Sequence, residues 1–525
     1  MTHIVDLQRA IKHALISVAD KANIVGFARQ LIKRGIEIIA TGGTAKLLRE
    51  HQISVIDVPT YTGFPEILDG RIKTPHPKIH GGLLARRGLD DDVLKQHAIT
   101  PIDLLIVNLY PFTQTIASPH CTLEKAIEQI DVGGPSMLRA GAKNFNAVTV
   151  VVNPIDYSLV LQEMDTYHNS TTLSTRKVLA QKTFEHLSCY DAEIAAYLAQ
   201  EALSSFTSEL PITFRKKMDL RYGENPHQAA ALYCAIPKSI DDLTEAQQLQ
   251  GKPLSFNNLL DSDCAYRTVW EGQQIIPTCV IVKHATPCGA AQGENQLIAY
   301  KKAYTTDPLS AFGGIIVFNS ILEVETAKKI FATQFVEVII APDFGVDALT
   351  ILKSKRNLRL LKAKPFKSKK TSYSFHSISG GLLVQQTDKI EIDLKELTVV
   401  SQRQPSKKEL QDLYFAWQIV KHVKSNAIVC VKNTATLGIG SGQTSRVFAA
   451  KIAVMKAQEA GLSLKNAVMA SDAFFPFSDG IEVAAQAGIS AIIQPGGSIR
   501  DEEVIEVANK SGIAMIFTHQ RHFRH

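Results

Sequence analysis

The strongest constraint on the fold is an internal echo. "VIVKHATPCG" (280–289) and "VCVKNTATLG" (429–438) share one pattern: an apolar run ends in Lys, His or Asn follows, and Gly stands six residues after the Lys. Two more pairs keep the same order, "SAF" (310–312) with "DAF" (472–474) and "VIIAP" (338–342) with "AIIQP" (491–495). Matches in one order predict a duplicated α/β unit. The copies meet in a basic, weakly patterned stretch, "LKAKPFKSKKTSYS" (361–374), which reads as a solvated connector.

Upstream, strand and helix signals alternate. "HALISV" (13–18), "IEIIAT" (36–41), "IDLLIVNLY" (102–110) and "NAVTVVVN" (146–153) are apolar runs expected to be buried strands. Between the first two, Ile24, Phe27, Leu31 and Ile32 share a helical face that stops at Gly35. Strands separated by helices predict a parallel α/β sheet. A helical stretch over roughly 172–203 closes this region, and "SSFTSELPI" (204–212) reads as a linker. The expected domains are therefore 1–203 (core about 1–150), 213–360 and 375–525.

Composition narrows the class. Apolar residues at 45% and charged residues at 21% suit a soluble globular protein. No apolar run approaches the ~18 residues that span a bilayer, and the N-terminus lacks a signal-peptide cleavage site. The seven cysteines form no CxxC, which favours free thiols in a reducing cytoplasm. The +6 net charge fits small anionic substrates and is too weak to argue for nucleic acid.

Two loop groups carry chemistry. "ATGGTAKLL" (40–48) follows a strand and opens a helix; its backbone N–H groups, with Thr41 and Thr44, suit a phosphate, although a plain strand–helix turn reads the same way. "DGRIKTPHPKIHGGLLARR" (69–87) brings Arg71, Lys73, Thr74, His76, Lys78 and His80 onto a stretch whose prolines and glycines predict no regular structure, which suggests an anion pocket, although a solvated basic loop reads the same way. "NLYPF" (108–112) lies at a strand's C-terminal end, and "IDVGGPSMLRAGAKN" (130–144) supplies Asp131, a Gly–Gly turn and Lys143.

In the second half, Lys283 and His284 stand side by side after a buried strand. A zinc deaminase needs H-x-E and P-C-x-x-C. Here Ala-Thr follows His284, and Cys288 sits in P-C-G-A, so the ligand cage is incomplete. The remaining chemistry is acid–base: His284 accepts a proton, and the adjacent cation favours the neutral imidazole. "DLRYGENPHQ" (219–228), "KSNAIVCVKN" (424–433), "GIGSGQTSRV" (438–447), "SDAFFPFSDG" (471–480) and "RHFRH" (521–525) add Arg221, Tyr222, Asn426, Ser445, Arg446 and Phe474 as binding candidates. The "RHFRH" segment also reads as a frayed tail.

Together these motifs, with "DPLSAFGG" and "QPGGSIRDEEV", resemble the bifunctional purine biosynthesis family over nearly the whole chain. That family joins an aminoimidazole carboxamide ribonucleotide (AICAR) formyltransferase to an inosinate (IMP) cyclohydrolase. The resemblance implies a methylglyoxal-synthase-like N-terminal domain and a transformylase of two cytidine-deaminase-like α/β subdomains. It implies Lys73, Tyr110, Asp131 and Lys143 as cyclohydrolase residues, with Lys21, Thr41, Gly42, Gly43, Thr44, Arg71, Thr74, Asn108 and Gly133 on the substrate. It implies Lys283, His284 and Asn426 as the transformylase set. Arg221, Tyr222, Ser445, Arg446, Phe474, Pro476, Asp479, Arg521 and His525 are implied for the ribonucleotide, and Glu337 for the folate.

The resemblance further implies 10-formyltetrahydrofolate as cosubstrate, no catalytic metal, no nucleic-acid or membrane partner, a homodimer and a cytoplasmic setting. Its small molecules are AICAR, formyl-AICAR, IMP and folate. Three positions depart from the family pattern: Pro75 for Leu, Gly141 for Ala and Phe145 for His. A different class, a nucleotide-sensing regulatory protein, explains the N-terminal loops and leaves Lys283–His284 idle. RNA binding near 362–370 lacks interleaved aromatics.

Overall fold

A computed structural model describes residues 9–199, 206–235, 242–271, 275–365, 373–388 and 397–525. The chain divides into two units, Met1–Phe214 and Arg215–His525.

The first unit is built on a five-stranded sheet. β1 (His13–Val18), β2 (Glu37–Ala40), β3 (Ile56–Asp57), β4 (Leu104–Asn108) and β5 (Thr149–Val151) lie in the order β3-β2-β1-β4-β5. Every pairing is parallel. Each apolar run becomes a strand because both faces are covered, so neither alternate residue meets water. Ala14, Ile16 and Val18 pack with Phe27 and Leu31 on one face; Leu15 packs with Leu83, Met137 and Leu138 on the other. The order reverses beside β1, so the loops after β1 and β4 diverge and open a cleft. Two helices border it, α1 (Gly42–Glu50) and α2 (Gly133–Lys143).

Two expectations for this unit are corrected. The 69–87 segment contains a helix, Pro77–Leu84, with His76 as N-cap accepting from the Lys78 N–H. Pro77 fits there because the first helical N–H needs no intrahelical partner. The Gly–Gly of 133–134 is likewise the start of α2 and not a free turn.

The second unit turns the sequence echo into geometry. Its strands are β6 (Phe214–Asp219), β7 (Ala231–Ala235), β8 (Gln247–Gln250), β9 (Thr278–Lys283), β10 (Thr286–Gln292), β11 (Gly314–Phe318), β12 (Val336–Ala341), β13 (Arg359–Lys362), β14 (Tyr373–Ile378), β15 (Gly381–Gln386), β16 (Thr398–Val399), β17 (Ile428–Lys432), β18 (Ala435–Gly440), β19 (Val468–Ser471), β20 (Ala491–Gln494) and β21 (Ala514–Phe517). Twelve form one sheet, β16-β21-β20-β19-β17-β18-β10-β9-β11-β12-β13-β8. Outward from the central β18–β10 pair, both halves run hairpin, antiparallel strand, two parallel strands and an antiparallel edge. The two repeats thus share a single sheet about a pseudo-dyad.

The helices repeat as well. α3 (Phe256–Trp270) and α5 (Lys407–Val420) cover one face in a common core that includes Tyr266, Trp417, Val282 and Val431; α4 (Gln296–Thr306) and α6 (Arg446–Glu459) cover the other. Both α3 and α5 begin with a capping box, from Ser255 and Asn258 and from Ser406 and Glu409. The repeated glycines have one cause: a Cβ on Gly289 or Gly438 would lie 2.0 Å from the carbonyl of Ala303 or Ala453. Only glycine lets the helix backbone approach so closely.

The 361–374 connector reading is corrected in part. Leu361 and Lys362 belong to β13, and Tyr373 opens the β14–β15 hairpin. Residues 366–372 lie outside the described residues.

Two outcomes follow from this architecture. The fragment 1–214 should fold alone, giving a cooperative thermal transition by circular dichroism; a chain without one refutes its independence. Gly438→Ala in the full chain should lower denaturant stability by about 1–3 kcal/mol, the range for forcing an extra carbon into a packed core, while unchanged stability would mean the helix can retreat.

Candidate functional sites

In the first unit, a cleft of about 720 Å³ opens at the C-terminal ends of β1 and β4. Lys21, Thr41, Gly43, Thr44, Arg71, Lys73, Thr74, Asn108, Tyr110, Asp131 and Gly133 all line it, so most of the sequence candidates converge. Lys21 donates to Thr44 Oγ1 at 3.0 Å and to the Val18 carbonyl, which fixes a cation at the N-terminus of α1. Helix N–H groups and a cation together make an anion seat. Burial and the charge of Lys73 lower the Lys21 pKa, against the pull of Asp20.

Asp131 stands at the N-terminus of α2. Its Oδ1 accepts the Gly134 N–H at 2.8 Å, and its own N–H donates to Tyr190 Oη at 2.7 Å. Burial raises its pKa, and the Gly134 N–H and Lys73 only partly oppose this. A Cβ on Gly133 would lie 2.3 Å from Thr74 Oγ1, and one on Gly134 2.5 Å from Asp131 Oδ2. The glycine pair therefore makes room for the carboxyl and the hydroxyl. The result is a half-buried acid beside a lysine, an arrangement able to move protons.

Four candidates take other roles. Lys143 ends α2, exposed, roughly 15 Å along the helix from Gly133, and does not line the cleft. Asn108 accepts the Asp20 N–H at 2.9 Å and donates to the Asp20 carbonyl at 3.0 Å, so it shapes the loop that carries Lys21. Gly42 faces Glu66. Arg71 pairs with Glu128 at the rim. Of the departures, Gly141 has a reason: a Cβ there would lie 2.9 Å from both Leu105 and Val150, so α2 sits closer to the sheet than an alanine permits.

In the second unit, Lys283 and His284 occupy the tip of the β9–β10 hairpin. Lys283 pairs with Thr286, leaving His284 and Ala285 as a two-residue turn with φ of 55° and 53°. Such a turn favours Asn and Gly, so these residues need support. Asp261 of α3 supplies it, accepting the N–H groups of His284 at 3.3 Å and Ala285 at 2.6 Å. The duplicate does the same: Asp412 of α5 accepts from Asn433 at 3.0 Å and Thr434 at 2.6 Å. The Lys283 ammonium donates to the Phe312 carbonyl at 2.6 Å, and the imidazole stays exposed.

The pseudo-dyad separates the two turns to opposite ends of the sheet, because β10 and β18 run antiparallel. The His284 end also receives the start of β17, the ends of β18 to β21 and the C-terminal tail. Asn426, Ser445, Arg446, Phe474, Pro476, Asp479, Arg521 and His525 come from those segments. Glu337 and Arg359, near the starts of β12 and β13, share this end. The 219–228 loop docks on the start of α3, where the Arg221 N–H donates to the Leu254 carbonyl at 3.3 Å and the Tyr222 carbonyl accepts from the Phe256 N–H at 3.3 Å.

Here too some expected roles change. Arg446 is buried and bound to Asp472, to Ser471 Oγ at 2.7 Å and to Asn426 Oδ1 at 2.7 Å. It therefore positions Asn426, whose Nδ2 donates to the Gln443 carbonyl at 2.8 Å, and its guanidinium does not stand free for a phosphate. Glu337 pairs with the buried Arg359 at 2.8 Å. Asp479 accepts the Gly480 N–H at 2.7 Å. Phe474 is exposed, as flat-ring stacking requires, and the Arg521 guanidinium lies 4.6 Å from the Phe523 ring. The tail is not frayed: Arg524 donates to the His422 carbonyl at 3.0 Å and to Cys264 Sγ at 3.4 Å, and its N–H reaches Ser425 Oγ at 3.2 Å.

Cys288 faces away from this chemistry. It packs into the core under α4, on the sheet face opposite α3, and donates to the Ile281 carbonyl at 3.5 Å. Burial pushes its pKa up to about 12. A protonated thiol on the far face does not join His284 as a ligand.

Sequence reasoning missed Asp261, Ser425 and Arg524, and it read Asp472 of "SDAFFPFSDG" as exposed on a proline turn, whereas the structure buries it. A signal for Asp261 exists: "SFNNLLD" (255–261) and "SKKELQD" (406–412) both read S-x-x-[N/E]-x-x-D, so the repeat extends upstream of its first recognised match.

A family model described as "AICARFT/IMPCHase bienzyme" matches residues 141–456, and one for an "MGS-like domain" matches residues 23–136. A solved structure titled "Crystal structure of ForH" is similar at 34% identity, covering 36% of this chain and 100% of that one with a TM-score of 0.33.

The raised pKa of Asp131 has a thermodynamic consequence. Folding disfavours its ionised form, so the penalty is present above the raised folded-state value and absent below the unfolded one. Asp131→Asn should therefore raise the thermal midpoint at pH 7. The difference from wild type should close as pH falls below the ordinary carboxylate range. A variant less stable at pH 7 would show that the carboxylate is not held against desolvation.

Proposed function

Because the chain belongs to the AICARFT/IMPCHase bienzyme family, which covers both formyltransferase and IMP cyclohydrolase activities of purine biosynthesis, we propose that its two units divide those steps. The second unit transfers a formyl group from 10-formyltetrahydrofolate to AICAR, and the first closes formyl-AICAR to IMP. The observation that carries the reading is the inequality of the two sheet ends. Of two equivalent clamped turns, one bears Lys-His and lies at the sheet end that Asn426 shares, and the other bears Lys-Asn.

In transfer, the exocyclic amine of AICAR attacks the formyl carbon. A C–N bond forms to AICAR, and the bond from the formyl carbon to the folate nitrogen breaks. His284 takes the amine proton and returns it to the departing nitrogen. Lys283, held by the Phe312 carbonyl, stabilises the oxyanion. Asp261 keeps the turn in place, and Arg446 keeps Asn426 beside the reacting groups.

In cyclisation, the phosphate sits on Lys21 and the N-terminus of α1. The carboxamide nitrogen adds to the formyl carbonyl and gives up a proton, which closes the ring, and the cyclic adduct then loses its hydroxyl and a second proton as water. Asp131, whose pKa burial raises, takes the carboxamide proton and passes a proton to the departing oxygen. Tyr110 and Lys73 line the same wall. Lys143, remote from the cleft, has no step. A homodimeric, cytoplasmic enzyme completes the proposal on the strength of the family resemblance.

The direct test mixes purified protein, AICAR and 10-formyltetrahydrofolate and follows tetrahydrofolate and IMP together; formation of neither refutes the reading. His284→Ala should cut transfer by roughly two to four orders of magnitude. Ring closure of supplied formyl-AICAR should stay near normal, and Cys288→Ala should retain transfer. Equal loss of both activities in folded His284→Ala would argue against separate sites.

The clamps give a sharper test. Asp261→Asn should lower kcat for transfer about ten- to hundredfold, the scale of losing placement by an ångström. Asp412→Asn, at the other end, should leave kcat near wild type. Equal kinetic effects from the two would mean that the clamps serve stability alone.

A further inference from the structure

A second cavity in the first unit, of about 710 Å³, lies at the N-terminal ends of β1 and β4. It is separated from the Lys73 cleft by the length of β1, roughly 17 Å. Arg9, Lys12, His13, Arg87 and Lys95 line it, against the carboxylates of Asp91 and Asp103.

Those carboxylates are already engaged. Asp103 accepts the Lys12 and His13 N–H groups at 3.0 and 3.3 Å and lies 3.6 Å from Arg87. Asp91 accepts the Gly88 N–H at 3.0 Å. The Arg87 side chain is 6% exposed, and its Nη atoms donate to the carbonyls of Ala85, Gly82 and Ile102. Among the described residues its buried Nε has no hydrogen-bond partner, while the buried Nδ1 of His13 lies 3.9 Å from Asp103 Oδ2. The Arg9 guanidinium lies over Gly88, 3.7 Å from where a Cβ would stand. Burial, and to a lesser degree the Arg9 charge, lower the Arg87 pKa against the pull of Asp103.

Cations converging on a concave, partly desolvated surface repel unless an anion joins them. The buried Arg87 Nε, without an acceptor among the described residues, adds to that cost and points to one. The floor is apolar, formed by Leu94, Ala98, Ile99 and Pro101, and the volume suits a small metabolite.

We propose that this cavity is a second anion site. It takes a phosphorylated small molecule, with the phosphate between Arg9, Lys95 and Arg87 and the apolar body over Leu94, Ala98 and Ile99.

The probe is inorganic pyrophosphate, titrated calorimetrically into the full-length protein at low salt. Arg9→Ala/Lys95→Ala removes two exposed side chains outside the catalytic clefts, and Lys73→Ala weakens the other cleft. The wild type should bind at two classes of site in the first unit. The double variant should lose one, weakened about tenfold or more as expected for two charge-assisted contacts, and keep the other. It should also keep both enzymatic turnovers, so failure here is distinct from failure of the catalytic reading. Lys73→Ala should show the reverse pattern. Pyrophosphate binding unchanged in the double variant, or abolished entirely by Lys73→Ala, overturns the proposal. Lys95→Glu, read by the pyrophosphate-induced rise in thermal midpoint, checks the result if the double variant is unstable: a smaller rise supports the site, an equal rise overturns it.

Discussion

The functional end of the second unit depends on the antiparallel seam between β10 and β18. Ala291 pairs with Ala435, and the Gln292 N–H reaches the Thr434 carbonyl at 2.9 Å. Buried hydroxyls complete the seam: Thr436 Oγ1 accepts from the Ala290 N–H at 2.9 Å, and Thr306 Oγ1 donates to the Thr436 carbonyl at 2.7 Å. Burial makes each partner costly to leave unsatisfied, so the seam admits one register. That register sends the two hairpin tips to opposite ends and brings strand ends from the second repeat to the tip of the first.

Duplication alone would give two equal sites, and the polar residues beside the helices break the equality. At the start of α4, Gln296 meets Ser320 through neutral hydrogen bonds, and Asn319 accepts the Thr278 N–H. At the equivalent place on α6, Arg446 meets Asp472, which accepts the Ala427 N–H. A buried ion pair is weak evidence for stability, because desolvation opposes the Coulomb gain. Its retention beside Asn426 fits a positioning role: the guanidinium holds the amide oxygen in one orientation, and a neutral pair holds it less firmly.

The first unit follows the same logic with a different device. Its cleft gathers Lys21, Lys73 and Asp131, burial works against the charges of Lys21 and Asp131, and the switch point of a parallel sheet supplies the opening. Two helix N-termini face it, and the glycine pair at the start of α2 lets Thr74 and Asp131 crowd against the backbone. Asp131 is less stable ionised than it would be in water, which is the condition that suits it to proton transfer.

Local patterns made much of this legible. The apolar runs of 13–18 and 102–110 read as strands because burial on both faces leaves a continuous signature, and the structure trims the second to Leu104–Asn108. The Lys-to-Gly spacing of the repeat read as duplication because the same helix contact recurs. Loop motifs led to Lys73, Thr74, Asp131, Lys283 and His284 because charge and glycine on irregular backbone are visible in one dimension, whereas Lys21 came only through the family resemblance. Partners were not visible: nothing near Arg446 in sequence shows that Asp472 holds it, nor near Arg524 that Cys264 and His422 receive it. Lys143 looked eligible because spacing from Asp131 says nothing of the helix that carries it away from the cleft. By itself the sequence determined the strands, the repeat and the chemical types at each loop, since these rest on periodicity and local backbone preference. Only the tertiary structure decided which charges are paired and which face the cleft, because pairing depends on sheet register and helix direction, which bring together residues far apart in the chain.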